Sequence, residues 1–179
     1  GSVPNDNPIA GSLVYSSGHR NPQGLAWDKN GVLWETEHGP SGLDGPGGGD
    51  EINLIKAGLN YGWPIVSHDK SRVGLESPKL VFTPAVAPSS LIIYDSPTLA
   101  QFNGNIFFGA LKGEGLYRVV LQGEDVVAYE KFNMKGNDVG RVRDVIQGSN
   151  GEIYFTTSNR DGRGKPRTDD DKLWRIRKL

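Results

Sequence analysis

A short hairpin pattern recurs three times along the chain, and this repeat limits the possible folds more than any other feature. In each copy an apolar run leads into a turn, an Asn-Gly pair that can adopt positive φ follows, and a second apolar run comes next. The three pairs begin at Asn30, Asn103 and Asn150. Each copy predicts a β-hairpin, and the repeat predicts several units of one kind.

Further apolar runs follow the hairpins and extend each unit. The third runs are DEINLI (50–55), GLYRVVL (115–121) and DKLWRIRKL (171–179), and the fourth runs are KLVFT (79–83) and VVAYEKF (126–132). One more run, LVYSSG (13–18), precedes the first hairpin. We predict an orphan strand at about 13–18, blades at about 24–83 and 90–132, and a blade at about 143–179 that lacks its fourth strand.

These units predict an all-β chain and, more specifically, a β-propeller of three four-stranded blades, half of a six-bladed ring. Four-stranded sheets that repeat every fifty to sixty residues or so are typical of propeller blades. A β-sandwich of about a dozen strands is the alternative, and composition alone favours it. The repeated hairpin pattern favours the propeller.

Composition and charge exclude several classes of function. The chain has 179 residues, with 20 basic and 21 acidic side chains, and its basic residues form no block, which argues against a nucleic-acid or membrane-surface partner. It has no cysteine, so disulfides and thiolate metal sites are excluded. No apolar run is long enough to span a membrane.

A set of short motifs occurs in one order along nearly the whole chain. They are GHRNPQGLAWD (18–28), EHGP (37–40), GGDEINLI (48–55), NYGWP (60–64), APSS (87–90), GRVRDV (140–145) and SNRDGRG (158–164). Together they resemble the glucose/sorbosone dehydrogenase family, the soluble PQQ-dependent sugar dehydrogenases. The resemblance implies a six-bladed propeller, of which these motifs correspond to the last three blades. It also implies PQQ and calcium as cofactors, an aldose as the substrate, and a periplasmic or extracellular location.

Basic residues are the candidates for holding PQQ, which is a planar quinone with three carboxylates. Carboxylates are bound best by guanidinium and ammonium groups that have little competing water. The resemblance assigns cofactor contacts to Arg20, Asn21, Lys112, Arg141 and Arg143. Two residues on one strand with one residue between them share a face, so Arg141 and Arg143 can serve one site. Most basic residues are surface charges, and for Lys112 this alternative is about equally good.

Two calcium sites are implied by the resemblance. Consecutive main-chain carbonyls of Gly39 and Pro40 match the ligands of the ion that polarises PQQ, and calcium accepts carbonyl oxygens readily. Glu51 and the carbonyl of Tyr61 match a second, structural calcium site. The alternative for the segment GPSGLDGPGGGDE (39–51) is a flexible acidic loop.

No residue of the chain is a candidate for the catalytic base. The base of the family lies in a His-x-Gly-Gly segment of an earlier blade, and this sequence contains no such segment. Of the three histidines, His38 follows Glu37 beside the predicted calcium carbonyls and could line the site, whereas His19 and His68 are interpreted as structural or exposed.

Two kinds of function are therefore open. In the first, the chain is the C-terminal half of an enzyme that oxidises the C1 hydroxyl of aldoses to lactones, and it is inactive alone. In the second, it is a non-catalytic propeller module that assembles with another copy; an unrelated binding propeller is a third possibility. The N-terminal GSVPNDNPI resembles the middle of the family's connection between blades three and four, so the expected partner is either the N-terminal blades or a second chain in a homodimer.

Overall fold

The first sheet is built from the first predicted hairpin and the two runs that follow it. In a computed structural model, which describes residues 1–178, its strands are β1 (Pro22–Trp27), β2 (Leu33–Glu37), β3 (Asp50–Ile55) and β4 (Leu80–Phe82). They pair antiparallel in chain order. The β1–β2 turn closes with Gly31 at φ 81°, a backbone conformation that favours glycine over any residue with a Cβ.

The second and third sheets repeat this meander. The second consists of β5 (Pro88–Ile93), β6 (Ile106–Ala110), β7 (Gly115–Gln122) and β8 (Asp125–Lys131), with a 3-10 helix (Pro97–Phe102) between β5 and β6. The third consists of β9 (Val142–Gln147), β10 (Ile153–Thr157) and β11 (Leu173–Ile176). Among residues 1–178 no fourth strand joins this sheet. The last residue of the predicted third blade, Leu179, lies outside the described residues.

The sheets pack face to face in chain order, which is the arrangement of propeller blades. The first strands β1, β5 and β9 are neighbours, so they occupy the inner side of the assembly. Buried apolar side chains fill both interfaces: Trp34 and Ile52 of the first sheet meet Phe108 of the second, and Phe107 of the second lies in one cluster with Phe155 of the third. Burial of these aromatic and aliphatic side chains stabilises the stack.

A buried polar contact also joins the first two blades. Thr36 Oγ1 donates a hydrogen bond to the carbonyl of Ser89 (2.7 Å) and accepts one from the Gly24 N–H (3.1 Å). Thr36 therefore satisfies two backbone groups at irregular positions, since Gly24 follows a register shift in β1 and Ser89 lies in a register shift of β5.

The orphan strand predicted at about 13–18 is not a regular strand in the structure. The segment makes one isolated parallel bridge, between Ser17 and Asn60, and Gly18 turns the chain at φ 76°. The N–H and the carbonyl of Ser17 bond to Leu59 and Tyr61 (3.0 and 2.8 Å). The segment is thus held by the long β3–β4 connection, and it joins no sheet.

No helix in the described part of the chain has both the length and the apolar character needed to cross a membrane.

Candidate functional site

A pocket of about 510 Å³ lies where loops of all three blades meet. Its volume is within the range of small-molecule and cofactor sites. Six of the sequence-predicted site residues line it together: Arg20, Asn21, Gly39, Pro40, Lys112 and Arg141. The blades thus bring residues that are far apart in sequence into one basic pocket.

Arg20 is held at the pocket by both its backbone and its side chain. The N–H groups of Arg20 and Asn21 donate to Glu37 Oε2 (2.8 and 3.2 Å), which fixes the turn that leads into β1. The guanidinium donates to Asp44 Oδ2 (2.7 Å) and to the His38 carbonyl (3.1 Å), and it lies 5.6 Å from the centre of the Trp63 ring. These contacts orient the cation toward the pocket.

Arg141 and Arg143 converge on one carboxylate. Nη2 of Arg141 lies 2.8 Å and Nη2 of Arg143 lies 3.1 Å from Asp161 Oδ2. The Arg141 side chain is buried and also donates to the carbonyl of Leu111 (2.9 Å), whereas that of Arg143 is about half exposed. Of these two arginines, Arg141 lines the pocket and Arg143 does not.

The loop that carries Gly39 and Pro40 is ordered by a buried aspartate that sequence reasoning missed. Asp50 accepts hydrogen bonds from the N–H groups of Gly39 (2.9 Å), Val86 (2.8 Å) and Ala87 (2.6 Å). Gly39 packs so closely on the backbone of the same loop that a Cβ would lie 2.2 Å from the Gly48 carbonyl oxygen. The predicted alternative of a flexible acidic loop does not fit these contacts.

Glu51 and Tyr61 line a separate small cavity of about 10 Å³ next to the pocket. This is close to the space that one water molecule needs. Both residues are buried, and burial raises the pKa of the Glu51 carboxyl to about 7. Burial makes this carboxylate costly to charge without a nearby cation, and a carboxylate oxygen is a ligand that calcium prefers.

A second group of carboxylates was not predicted from the sequence. Glu35 and Glu37 on β2 lie within 4.8 Å of His19, measured between the ligand atoms of the three side chains. Burial, with the charges of Glu35 and Glu51, raises the pKa of Glu37. Burial lowers the pKa of His19, but the nearby Glu35 and Glu37 raise it by more. The sequence did contain a sign of this group, because Glu35 and Glu37 alternate on one strand and alternating residues of a strand share a face.

The three histidines have different surroundings. His38 Nε2 bonds to the Pro88 carbonyl (2.7 Å), so it ties the first blade to the second while it lines the pocket. His19 stacks on Tyr61 with ring centres 4.7 Å apart, and His68 contacts Ser67 (3.0 Å).

Fold and site together define part of a β-propeller with a basic cofactor-sized pocket at the meeting point of its blades. The family model for glucose/sorbosone dehydrogenase matches residues 1–165. The chain belongs to this family. It is 32% identical to the aldose sugar dehydrogenase YliI of Escherichia coli, covering 90% of this chain and 47% of that protein.

Solved structures agree with this assignment and confirm the propeller. An oxidoreductase of the glucose dehydrogenase type from Thermus thermophilus superposes with a TM-score of 0.83 at 40% identity, covering 97% of this chain and 51% of that one. The PQQ-bound aldose sugar dehydrogenase of Streptomyces coelicolor superposes with a TM-score of 0.82 at 34% identity, covering 98% and 48%. The chain thus spans about half the length of these relatives.

Proposed function

We propose that this chain forms the cofactor-holding half of a PQQ- and calcium-dependent sugar dehydrogenase, which oxidises the C1 hydroxyl of aldoses to lactones. The observation that carries the proposal is the convergence of Arg20, Lys112 and Arg141 on one pocket beside the Gly39–Pro40 loop. These basic residues come from loops of three different blades, so the fold itself assembles the pocket.

The basic residues suit a ligand with several carboxylates. Charge-assisted hydrogen bonds from guanidinium groups are short and strong, and a partly enclosed pocket reduces competition from water. Asp44 and Asp161 hold Arg20 and Arg141 in place before a ligand enters, so little side-chain entropy remains to be lost on binding. PQQ, when bound, would accept the hydride that leaves C1 of the sugar, and with it the two electrons of the oxidation.

The Gly39–Pro40 carbonyls are the proposed ligands of the calcium ion at the cofactor, and Glu51 with the Tyr61 carbonyl would hold the structural ion. Asp50 supports the first site by holding the N–H of Gly39 and the backbone at Val86 and Ala87. In this proposal calcium would offset negative charge in the pocket. The main-chain carbonyls would bind the ion without adding a further anion, because they are neutral.

The catalytic base is proposed to come from blades outside this chain, so the chain alone would turn over little sugar. Removal of a hydroxyl proton needs a base within hydrogen-bond reach of it. His38 is the one histidine that lines the pocket in the described part of the chain, and its Nε2 is already engaged by the Pro88 carbonyl. A non-catalytic module that self-assembles is the alternative function. The complete protein is proposed to act in the periplasm or outside the cell.

Binding of PQQ tests this proposal. We expect the chain to bind PQQ in the presence of calcium, and Arg141→Ala to bind roughly 10- to 100-fold more weakly, because a charge-assisted hydrogen bond is lost. Arg175→Ala is the matched control, since Arg175 pairs with Glu152 far from the pocket. The affinity is measured by titration of PQQ absorbance, and each protein is repeated with a calcium chelator.

Equal PQQ affinity of the wild type, Arg141→Ala and Arg175→Ala would contradict the proposal that this pocket binds PQQ. PQQ binding that does not change when calcium is chelated would contradict the calcium site at Gly39–Pro40. The proposal that the basic pocket binds PQQ would be unaffected.

A further inference from the structure

A largely buried imidazole faces two buried carboxylates beside the pocket, within ion-pair distance of both but outside hydrogen-bond geometry. His19 Nδ1 lies 3.4 Å from Glu35 Oε2 and 3.8 Å from Glu37 Oε2. Among residues 1–178 this nitrogen has no hydrogen-bond partner, although it is shielded from solvent. Glu35 and Glu37 are 1% and 3% exposed. Buried groups of this kind normally find partners, because an unpaired buried charge is costly.

The separations in this cluster are those of two ligands of one metal ion. A charge-assisted N–H···O hydrogen bond is about 2.7–2.9 Å long, which is shorter than either distance. Ligands about 2.0–2.1 Å from a tetrahedral zinc ion lie roughly 3.3–3.4 Å from each other. His19 Nδ1 and Glu35 Oε2 have this spacing already, and Glu37 Oε2 is a few tenths of an ångström further away.

Ser16 orients the imidazole for such a role. Its Oγ lies 2.8 Å from His19 Nε2, and the ring also stacks on Tyr61. When Nε2 donates its proton to Ser16, Nδ1 presents a lone pair toward the two carboxylates. Such a lone pair is repelled by the carboxylate oxygens unless a cation, either a proton on Nδ1 or a metal ion in its place, lies between them. A histidine that binds a metal through one ring nitrogen typically donates a hydrogen bond from the other ring nitrogen.

An independent sign of a ligand position comes from Asn53, which is fully buried. Its side-chain amide donates to Glu35 Oε2 and Glu51 Oε2 (both 3.2 Å), so the carboxamide is directed into the cluster. Its Oδ1 has no hydrogen-bond partner in the described part of the chain. A buried amide oxygen without a donor is what a neighbouring cation or its bound water would satisfy.

We propose that His19, Glu35 and Glu37 form a site for a divalent transition-metal ion, such as zinc, that fastens the His19 turn to β2. The set of one imidazole nitrogen and two carboxylates suits zinc and its first-row neighbours better than calcium, which prefers oxygen ligands only. The site differs in its ligands from the calcium site proposed at Glu51 and Tyr61, although Glu37 lines the same small cavity as those two residues. It does not depend on the proposed function.

The ion would also act on the pocket. Glu37 accepts hydrogen bonds from the backbone of Arg20 and Asn21, and His19 precedes them in the same turn. A metal that fixes His19 and Glu37 therefore fixes the backbone from which Arg20 reaches the pocket. The ion would position a residue of the pocket without itself contacting the sugar or the cofactor.

The test first removes metal from the full chain with a chelator, then adds Zn²⁺ back and measures how much is bound. We expect the wild type to bind one equivalent of Zn²⁺ by elemental analysis, and to melt at a higher temperature with zinc than without it. Co²⁺ should give visible absorption bands that report nitrogen and oxygen ligands. Glu35→Gln and His19→Gln should each lose at least about tenfold in zinc affinity, since each removes one ligand.

Controls separate this site from its neighbours and from misfolding. Glu152→Gln removes a carboxylate in the β9–β10 turn and should leave zinc binding unchanged. Glu51→Gln should keep the zinc, and circular dichroism should show that each variant is folded. If Glu35→Gln fails to fold, His19→Gln decides the test. No zinc on the wild type, equal zinc on all the variants, or loss in Glu51→Gln alone would overturn the proposal.

Discussion

At the scale of single residues, acidic partners compensate the charge of a buried arginine next to an open pocket. Asp161 accepts from both Arg141 and Arg143, and Asp44 accepts from Arg20. The hydrogen bond from Arg141 comes first among the causes that hold the pKa of Asp161 at about 2. Asp161 is therefore ionised throughout the neutral range, so its pairing with Arg141 does not change there.

The pKa of Asp161 predicts how its contribution to stability depends on pH. Since the pKa falls from 3.8 to about 2 on folding, the contribution is complete above 3.8 and is lost as the pH falls toward 2. Asp161→Asn should lower the free energy of unfolding at pH 6, and the difference from the wild type should shrink at pH 2.5. Urea unfolding at both values measures this, with the exposed Asp169→Asn as control. A difference that is as large at pH 2.5 as at pH 6 would show that charge is not the cause.

Which of these residues could be foreseen depended on where their partners lie. Arg20 and Arg141 stand in recognisable motifs, and the resemblance assigned Lys112 as a further cofactor contact. The structure brings all three to one pocket. Asp161 and Asp44 acquire their roles only through contacts with residues about twenty positions away. No local pattern encodes such a contact.

At the scale of elements, the hairpins were the most predictable part, because turn chemistry is local. An Asn-Gly pair and alternating apolar residues fix a hairpin within a few positions of the chain. The contacts between blades were not predictable in the same way. Thr36 looks like an ordinary strand residue in the sequence, yet it bonds across to Ser89 in the next blade. The segment 13–18 has strand-like composition, but bonds from Ser17 to the β3–β4 connection decide its conformation instead.

The inter-blade bond predicts that Thr36→Val destabilises the chain. Valine has nearly the same shape, so the packing survives, but the Gly24 N–H and the Ser89 carbonyl lose their partner. Each buried backbone group left unpaired costs about 1–3 kcal/mol. Since two groups lose their partner, we expect the free energy of unfolding to fall by about 2–6 kcal/mol. Thr168→Val, at an exposed position, is the matched control and should have little effect. An equally small effect of Thr36→Val would show that the inter-blade bond contributes nothing.

At the scale of the whole molecule, three stacked sheets leave strand edges and apolar side chains without cover. In the described residues β11 pairs only with β10, so its outer edge presents free backbone groups. Leu173 on this strand, and Leu13 and Tyr15 near the other end of the described chain, are exposed large apolar residues. The repeat predicted the blades from the sequence, whereas what covers these edges depends on another chain segment, which local patterns do not reveal.

Unless separate N-terminal blades take the partner's place, we expect two chains to associate head to tail, so that each covers the exposed edge of the other and six blades close with two-fold symmetry. Ser17 is already bonded within its own chain, so only the opposite edge of the 13–18 segment is available for β11 of the partner. Leu13→Asp and Tyr15→Asp should weaken the dimer, because a charge is then buried at the contact. Light scattering at micromolar concentration gives the mass, and Leu43→Asp, at an exposed loop position, is the control. A mass of one chain for the wild type, unchanged by these substitutions, would contradict the dimer and leave separate N-terminal blades as the expected partner.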